Sequence, residues 1–179
     1  MKKQKIIIGV LAFIVMLSLS GCGPNVGEKI MEKTIESQTG GKVDIDADKG
    51  EMKINTGQGD ISVSGDGTAS LNKDFPKDIY IAPDAKIIMS LVNGQNKSYS
   101  VAYTTAMKSD EVYAKYKEDL TSQGWASDAQ TEIIFQDSKT MLYKKGAQSL
   151  TLIMGISQDP QFKGRTHVQV IGAEDQSGS

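Results

Sequence analysis

Cys22 and His167 are the only cysteine and the only histidine among 179 residues, which restricts catalytic and metal chemistry before any fold is considered. A single cysteine cannot close an internal disulfide, and one histidine with one cysteine cannot assemble the common zinc sites. His167 stands in T-H-V-Q-V, so on a strand it faces away from Val168 and Val170 and reads as an exposed sheet histidine. A Ser-His-Asp triad could draw on it, but no G-x-S-x-G elbow accompanies it. Ser70-Leu-Asn-Lys73 fits S-x-x-K, yet the companion S-D-N and K-T-G sequences are missing. Thr39-Gly-Gly-Lys42 lacks the glycine spacing and the following hydroxyl of a phosphate loop. Asp44, Asp46 and Asp48 match the first three ligand positions of an EF-hand loop. The match then fails at Lys49, where glycine is needed, and at Asn55, where a bidentate glutamate is needed. Alternation gives a simpler account, with Val43, Ile45 and Ala47 inward and the three aspartates in water; weak calcium binding by those carboxylates stays open. Tyr99, Tyr103, Tyr113, Tyr116 and Trp125 could line a groove for sugar or peptide, but their spacing fits a helix stripe and strand alternation, as core residues would. No catalytic, cofactor-binding or metal-ligating residue is assigned, and no cofactor is expected.

Cys22 belongs to a different context. Lys2, Lys3 and Lys5 precede an apolar run from Ile6 to Leu19, broken only by Gly9 and Ser18. This is the order of a secretory signal, and the run is short of the ~20 residues a bilayer span requires. Leu19-Ser20-Gly21-Cys22 resembles the lipobox of bacterial lipoproteins. The resemblance implies cleavage before Cys22, with residues 1–21 as signal peptide, and a diacylglyceryl group on the Cys22 sulfur. An ordinary signal cut nearby would instead leave a free thiol. Two or more acyl chains on one residue give durable anchoring, each buried methylene contributing ~0.8 kcal/mol.

Loss of residues 1–21 removes three lysines and no acid, so 20 basic and 22 acidic side chains become 17 and 22 and the charge moves from −2 to −5. An acidic balance disfavours nucleic acid and anionic lipid as partners of the chain as a whole. Arg165 is the only arginine, so bidentate phosphate clamping is poorly supplied.

The elements that must position these side chains are punctuated by glycine. Residues 25–39 read as a short helix or tether ended by Gly40-Gly41. Gly41-Lys-Val-Asp-Ile45, Gly50-Glu-Met-Lys-Ile54 and Gly59-Asp-Ile-Ser-Val63 repeat every nine residues as glycine, charge, apolar, polar, apolar. That predicts a small three-stranded antiparallel meander over residues 41–67, with a stacked β-roll as the alternative. Residues 68–84, with Pro76 and Pro83, read as a connector whose Phe75, Ile79, Tyr80 and Ile81 pack along the domain that begins at residue 85. Residues 85–172 form this α+β domain, of order β-β-α-β-β-β-β: an antiparallel β-sheet with one packed helix. Its strands are Ala85–Val92, Ser98–Thr104, Thr131–Phe135, Thr140–Lys144, Ser149–Ile156 and Thr166–Ile171. Its helix is capped by Ser109, stopped by Gly124 and apolar along Val112, Tyr116 and Leu120. Residues 173–179 read as a disordered tail.

The helix, G-G-K-V-D-I-D, D-F-P-K-D-I-Y-I-A-P-D-A-K and S-D-E-V-Y-A-K-Y-K-E-D-L-T-S-Q-G-W together resemble a group of small bacterial lipoproteins of uncharacterised function. The resemblance brings no catalytic residues. The expected protein is a lipid-anchored envelope module, without enzymatic activity, at the cell membrane or outer membrane and facing away from the cytoplasm. It is held to the membrane through lipid on Cys22 and binds an unknown envelope protein or polymer, not nucleic acid, through exposed sheet opposite the helix. The alternatives are a carbohydrate or peptide binder using the Tyr/Trp cluster, and an envelope hydrolase.

Overall fold

The computed structural model describes residues 29, 32–37, 40–46, 48, 50–57, 59–127, 131–135 and 138–174. Cys22, residues 1–21 expected as signal peptide, and residues 175–179 lie outside them; Ala173 and Glu174, expected to open a disordered tail, instead end the last strand, where they pair with Ser149 and Gln148. Ten strands form one antiparallel sheet: β1 Lys42–Asp46, β2 Glu51–Asn55, β3 Gly59–Ser64, β4 Lys86–Asn93, β5 Ser98–Thr105, β6 Ala126–Ser127, β7 Ile133–Phe135, β8 Ser138–Lys145, β9 Gln148–Ile156 and β10 Thr166–Glu174. The helix α1, Ser109–Ser122, comes after β5. Neighbours run β1-β2-β3-β4-β5-β10-β9-β8-β6, with β7 also paired to β8.

The nine-residue repeat becomes β1–β3, an antiparallel meander in which Val43 opposes Ile54 and Ile54 opposes Ile61. β3 also pairs with β4, so the meander continues the main sheet. The connector folds over that junction. Ala69 N–H donates to the Ile87 carbonyl at 3.0 Å, and the Asn72 N–H to Ser90 Oγ at 2.9 Å. Phe75, Ile79 and Ala82 are buried in the main core, as the connector's apolar residues suggest. The strand order after the helix differs from expectation. Five strands come after α1, because the chain leaving Gly124 pairs Ala126 with Lys144 and Ser127 with Tyr143 before reaching β7.

The helix bears its expected stripe: Val112, Tyr116 and Leu120 are its buried residues. Its cap is not Ser109, which is the first helical residue; Lys108 holds the cap position, and its N–H donates to Glu111 Oε2 at 3.2 Å. Ser109 Oγ accepts instead from Lys139 Nζ, which also pairs with Asp110 at 2.8 Å. Beneath α1, Val101, Tyr103, Met141, Leu150, Leu152, Val168 and Val170 fill one face of the sheet. Tyr116 Oη lies 3.1 Å from Tyr103 Oη and donates to the Tyr80 carbonyl at 2.6 Å, joining helix, sheet and connector.

A second, smaller cluster lies on the other face. Ile35, on the helical residues 32–37, packs with Val43 and Ile54. Glu36 and Glu32 from that segment accept the Val43 and Ile45 N–H groups, each at 3.1 Å. Two carboxylates thereby stand where the carbonyls of a neighbouring strand would be, and they close the outer edge of β1. The segment ends as expected at Gly40, whose φ is +67° and whose N–H returns to the Glu36 carbonyl.

A side chain at Gly172 would place its Cβ 2.1 Å from the Tyr99 ring, which makes an edge-on contact with Phe75. Gly172→Ala is expected to cost about 1–3 kcal/mol in denaturant unfolding, since overpacking must displace the ring. Replacing Glu32 and Glu36 together by alanine should speed amide hydrogen exchange at Val43 and Ile45, leaving the amides of β9 unchanged.

Candidate functional site

Residues directly opposite one another on antiparallel strands share a face, so the register assigns every strand side chain to the α1 side or to the other. Two rows cross the face away from α1. One runs Ile133, Thr140, Ile153, Gln169, Ala102, Met89, Val63, Met52, Ile45. The next runs Leu142, Thr151, Ile171, Ser100, Leu91, Ile61, Ile54, Val43. At the β1 end these rows are covered by Ile35. From β4 to β8, Met89, Leu91, Ile153 and Leu142 are half-buried, Ile171 is exposed, and none of them joins either core cluster. At the far edge Ile133, Ile134 and Phe135 are 62%, 57% and 68% exposed.

Charge divides along the same line. Asp44, Asp46, Glu51 and Asp60 alternate away from this face, on the α1 side, as does Glu174. Among the described strand residues, the open face carries no acid; its ionisable side chains are Lys86, Lys144 and His167. An acidic chain has therefore kept its strand acids on one side of the sheet.

Among the described residues, one concavity lies by the meander and another on the open face. A groove of about 630 Å³ lies between the meander and the connector, lined among others by Asp44, Lys53, Asp60, Ser62, Leu71 and Asn72. A depression of about 410 Å³ on the open face is lined among others by His167, Ile88, Ile153, Ser138, Ser157 and Asp159, so the loop before β10 brings one carboxylate to this face. His167 points away from Val168 and Val170 as its alternation requires, but it is half-buried, and desolvation pushes its pKa below the usual value.

The other singled-out residues fall elsewhere. Tyr103, Tyr116 and Trp125 are core side chains, with Trp125 5% exposed. Burial drives the Tyr103 phenol up to about 12 and the Tyr116 phenol well above its ordinary value, so both are neutral packing groups. Tyr99 and Tyr113 are half-buried, and Tyr113 donates to Glu132. Ser70 and Lys73 are exposed on the connector at the rim of the groove, and Lys73 faces Asp74 at 3.7 Å. Asp44 projects from β1 and Asp48 lies in the turn after it, both exposed. Among the described residues no group of three or more His, Cys, Asp or Glu could hold a metal ion, and no helix is long and apolar enough to cross a membrane. No protein-family model matches the chain, and no match was found among curated proteins or solved structures.

The exposure of the whole β7 triplet is not apparent in the sequence. Glu132-Ile133-Ile134-Phe135 has no alternation to show that all three apolar side chains remain uncovered; the signal is that very lack of a polar partner position.

His167 generates a pH dependence. Its pKa in the folded chain is below the ordinary 6.5, so the unfolded chain takes up the proton first as pH falls. This contribution to stability is full above about 6.5 and shrinks as pH drops through and below it. His167→Gln should flatten the stability profile in that window, measured by urea unfolding at a series of pH values. The losses from Asp66, Asp84 and Asp110, whose pKa values are depressed by hydrogen bonds, come at lower pH and should survive the substitution.

Proposed function

We propose that this chain is a non-enzymatic, lipid-anchored module of the bacterial cell envelope that makes its contacts through the open sheet face opposite α1. The observation that carries the proposal is the uncovered apolar surface on that face, Met89, Leu91, Ile153 and Leu142 continuing to Ile171 and the exposed β7. A solvated face of an antiparallel sheet normally alternates toward polar residues. Here the rows remain rich in aliphatic side chains and free of acid, as suits a surface that meets something. The lipobox-like Leu19–Cys22 supplies the anchor. The alternative of an aromatic sugar or peptide site draws little support from Tyr103, Tyr116 and Trp125, which are enclosed in the core. For a hydrolase, the depression gathers Ser138, Ser157 and Asp159 with His167, but among the described residues no hydrogen bond joins His167 to any of them as a triad would require; Ser157 Oγ and Asp159 Oδ1 accept backbone N–H groups of their own loop.

Cells grown with a clickable palmitate analogue should label the wild-type protein and leave Cys22→Ala unlabelled. The variant should also leave the membrane fraction. Labelling that persists in Cys22→Ala, or unchanged fractionation, would remove the anchor from the proposal.

A further inference from the structure

We propose that the β7 border of the sheet is an interface between two copies of this chain, paired antiparallel about a two-fold axis through Ile134. The inference concerns the border of the sheet rather than its open face, and it stands whether or not Cys22 carries lipid. The two borders are built differently. At β1 the Val43 and Ile45 N–H groups are occupied by Glu36 and Glu32. Sheets guard a border with charge, proline, a bulge or a covering segment, because unpaired N–H and C=O groups invite another strand. Among the described residues nothing of this kind guards Ile133-Ile134-Phe135, three residues of high strand preference whose side chains are all exposed. Ile134 projects to the α1 side, and Ile133 and Phe135 to the other. Side chains open on both faces mean that α1 does not overhang this border.

The register tells which backbone groups are free there. β8 turns into β9 through Gly146 and Ala147, with Gly146 at φ +60°, as the first position of a two-residue II′ hairpin needs. The flanking pair of such a hairpin, Lys145 and Gln148, exchanges its N–H and C=O groups. Along β8 the odd-numbered residues therefore bond to β9 and the even-numbered ones face β7. Ile134 lies opposite Lys139, an odd-numbered residue, so its own N–H and C=O point out of the border.

A second copy meets those groups with the same groups. With Ile134 on the axis, the two residues exchange both hydrogen bonds, a closed unit of antiparallel ladder. Ile134 then faces Ile134 on the α1 side, and Ile133 faces Phe135 twice on the other, apolar against apolar throughout. The two Glu132 carboxylates are set roughly 14 Å apart along the strands, beyond the screening length of physiological salt. A contact three residues long also accumulates little mismatch from sheet twist. Area sets the strength. The three side chains expose roughly 400 Å² in each copy, so two copies bury less than the ~1,200 Å² of a stable interface, and the pair is weak and reversible.

Residues 22–179 with Cys22→Ala contain every described element and no thiol, which suits both a mass measurement and a cross-link. Sedimentation equilibrium from ~10 μM to ~1 mM should show the mass rising toward two chains and no further. Ile134→Lys puts two like charges on the axis and should weaken the association about tenfold, with the urea midpoint kept because the side chain is exposed. Ile134→Pro removes the outward N–H and no bond to β8, and should weaken it alike. On the same background Ile134→Cys should give a disulfide-linked dimer under mild oxidation, since the two Cα atoms stand ~5.5 Å apart. Glu132→Cys should cross-link no faster than Thr121→Cys on the exposed side of α1, which reports random collision. A single-chain mass over the whole range overturns the proposal and leaves the border to a strand of another protein. Growth beyond two chains overturns it as well. So does a dimer indifferent to Ile134→Lys, which would place the pairing on another surface such as the open face, and so does Glu132→Cys cross-linking as fast as Ile134→Cys.

Discussion

The fold depends on one phenol. Tyr116 leaves α1, buries its ring against Tyr80 at 5.4 Å between centroids, and ends with its hydroxyl between Tyr103 of the sheet and the Tyr80 carbonyl of the connector. A buried hydroxyl without a partner costs about 1–3 kcal/mol, so these contacts must be made together or not at all. They fix α1 and the connector to the same side of the sheet. Because strand side chains alternate, that choice also decides which residues are left on the other side. The composition of the open face is thus a consequence of where Tyr116 finds its partners.

A second lock acts where the connector returns to the sheet. Asp84 accepts from Thr105 Oγ1 and from the Ala106 N–H at 2.7 Å, and Arg165 Nη2 reaches its carboxylate and its carbonyl, each at 3.1 Å. The only arginine of the chain is used in tying β5, β10 and the connector together. Other polar residues with chemical potential are occupied in the same way. Lys139 is held by Asp110 and Ser109, and Asp66 is turned inward on Ser64 and Thr68. Charged and hydroxyl groups in this protein mostly organise loops and helix ends, and the surfaces left over are distinguished by shape and hydrophobicity.

Much of this was legible in the residues, for definite reasons. The glycine repeat and its alternation gave the meander, and the Val112–Tyr116–Leu120 stripe gave α1, because both periodicities are local. The antiparallel sheet with a packed helix followed from them. What could not be read depends on contacts between distant segments. β6 consists of two residues that become a strand only because β8 offers a partner, and Ser109 lost the cap position to Lys108 while Lys139, thirty residues on, engaged its hydroxyl. Exposed sheet opposite the helix was expected, but its continuous apolar rows were not: each strand shows an ordinary half-apolar pattern, and only the register lines those residues up. The segregation of acids is likewise a property of the register, invisible in a net charge.

The capped edge of β1 has a consequence for assembly. Growth of a sheet by repeated strand addition requires that each molecule present two receptive borders, one to give and one to receive. Glu32 and Glu36 occupy the N–H groups at one border, so only the β7 side remains available. Such a molecule can join edge to edge once and then terminates, which permits closed pairs and forbids filaments.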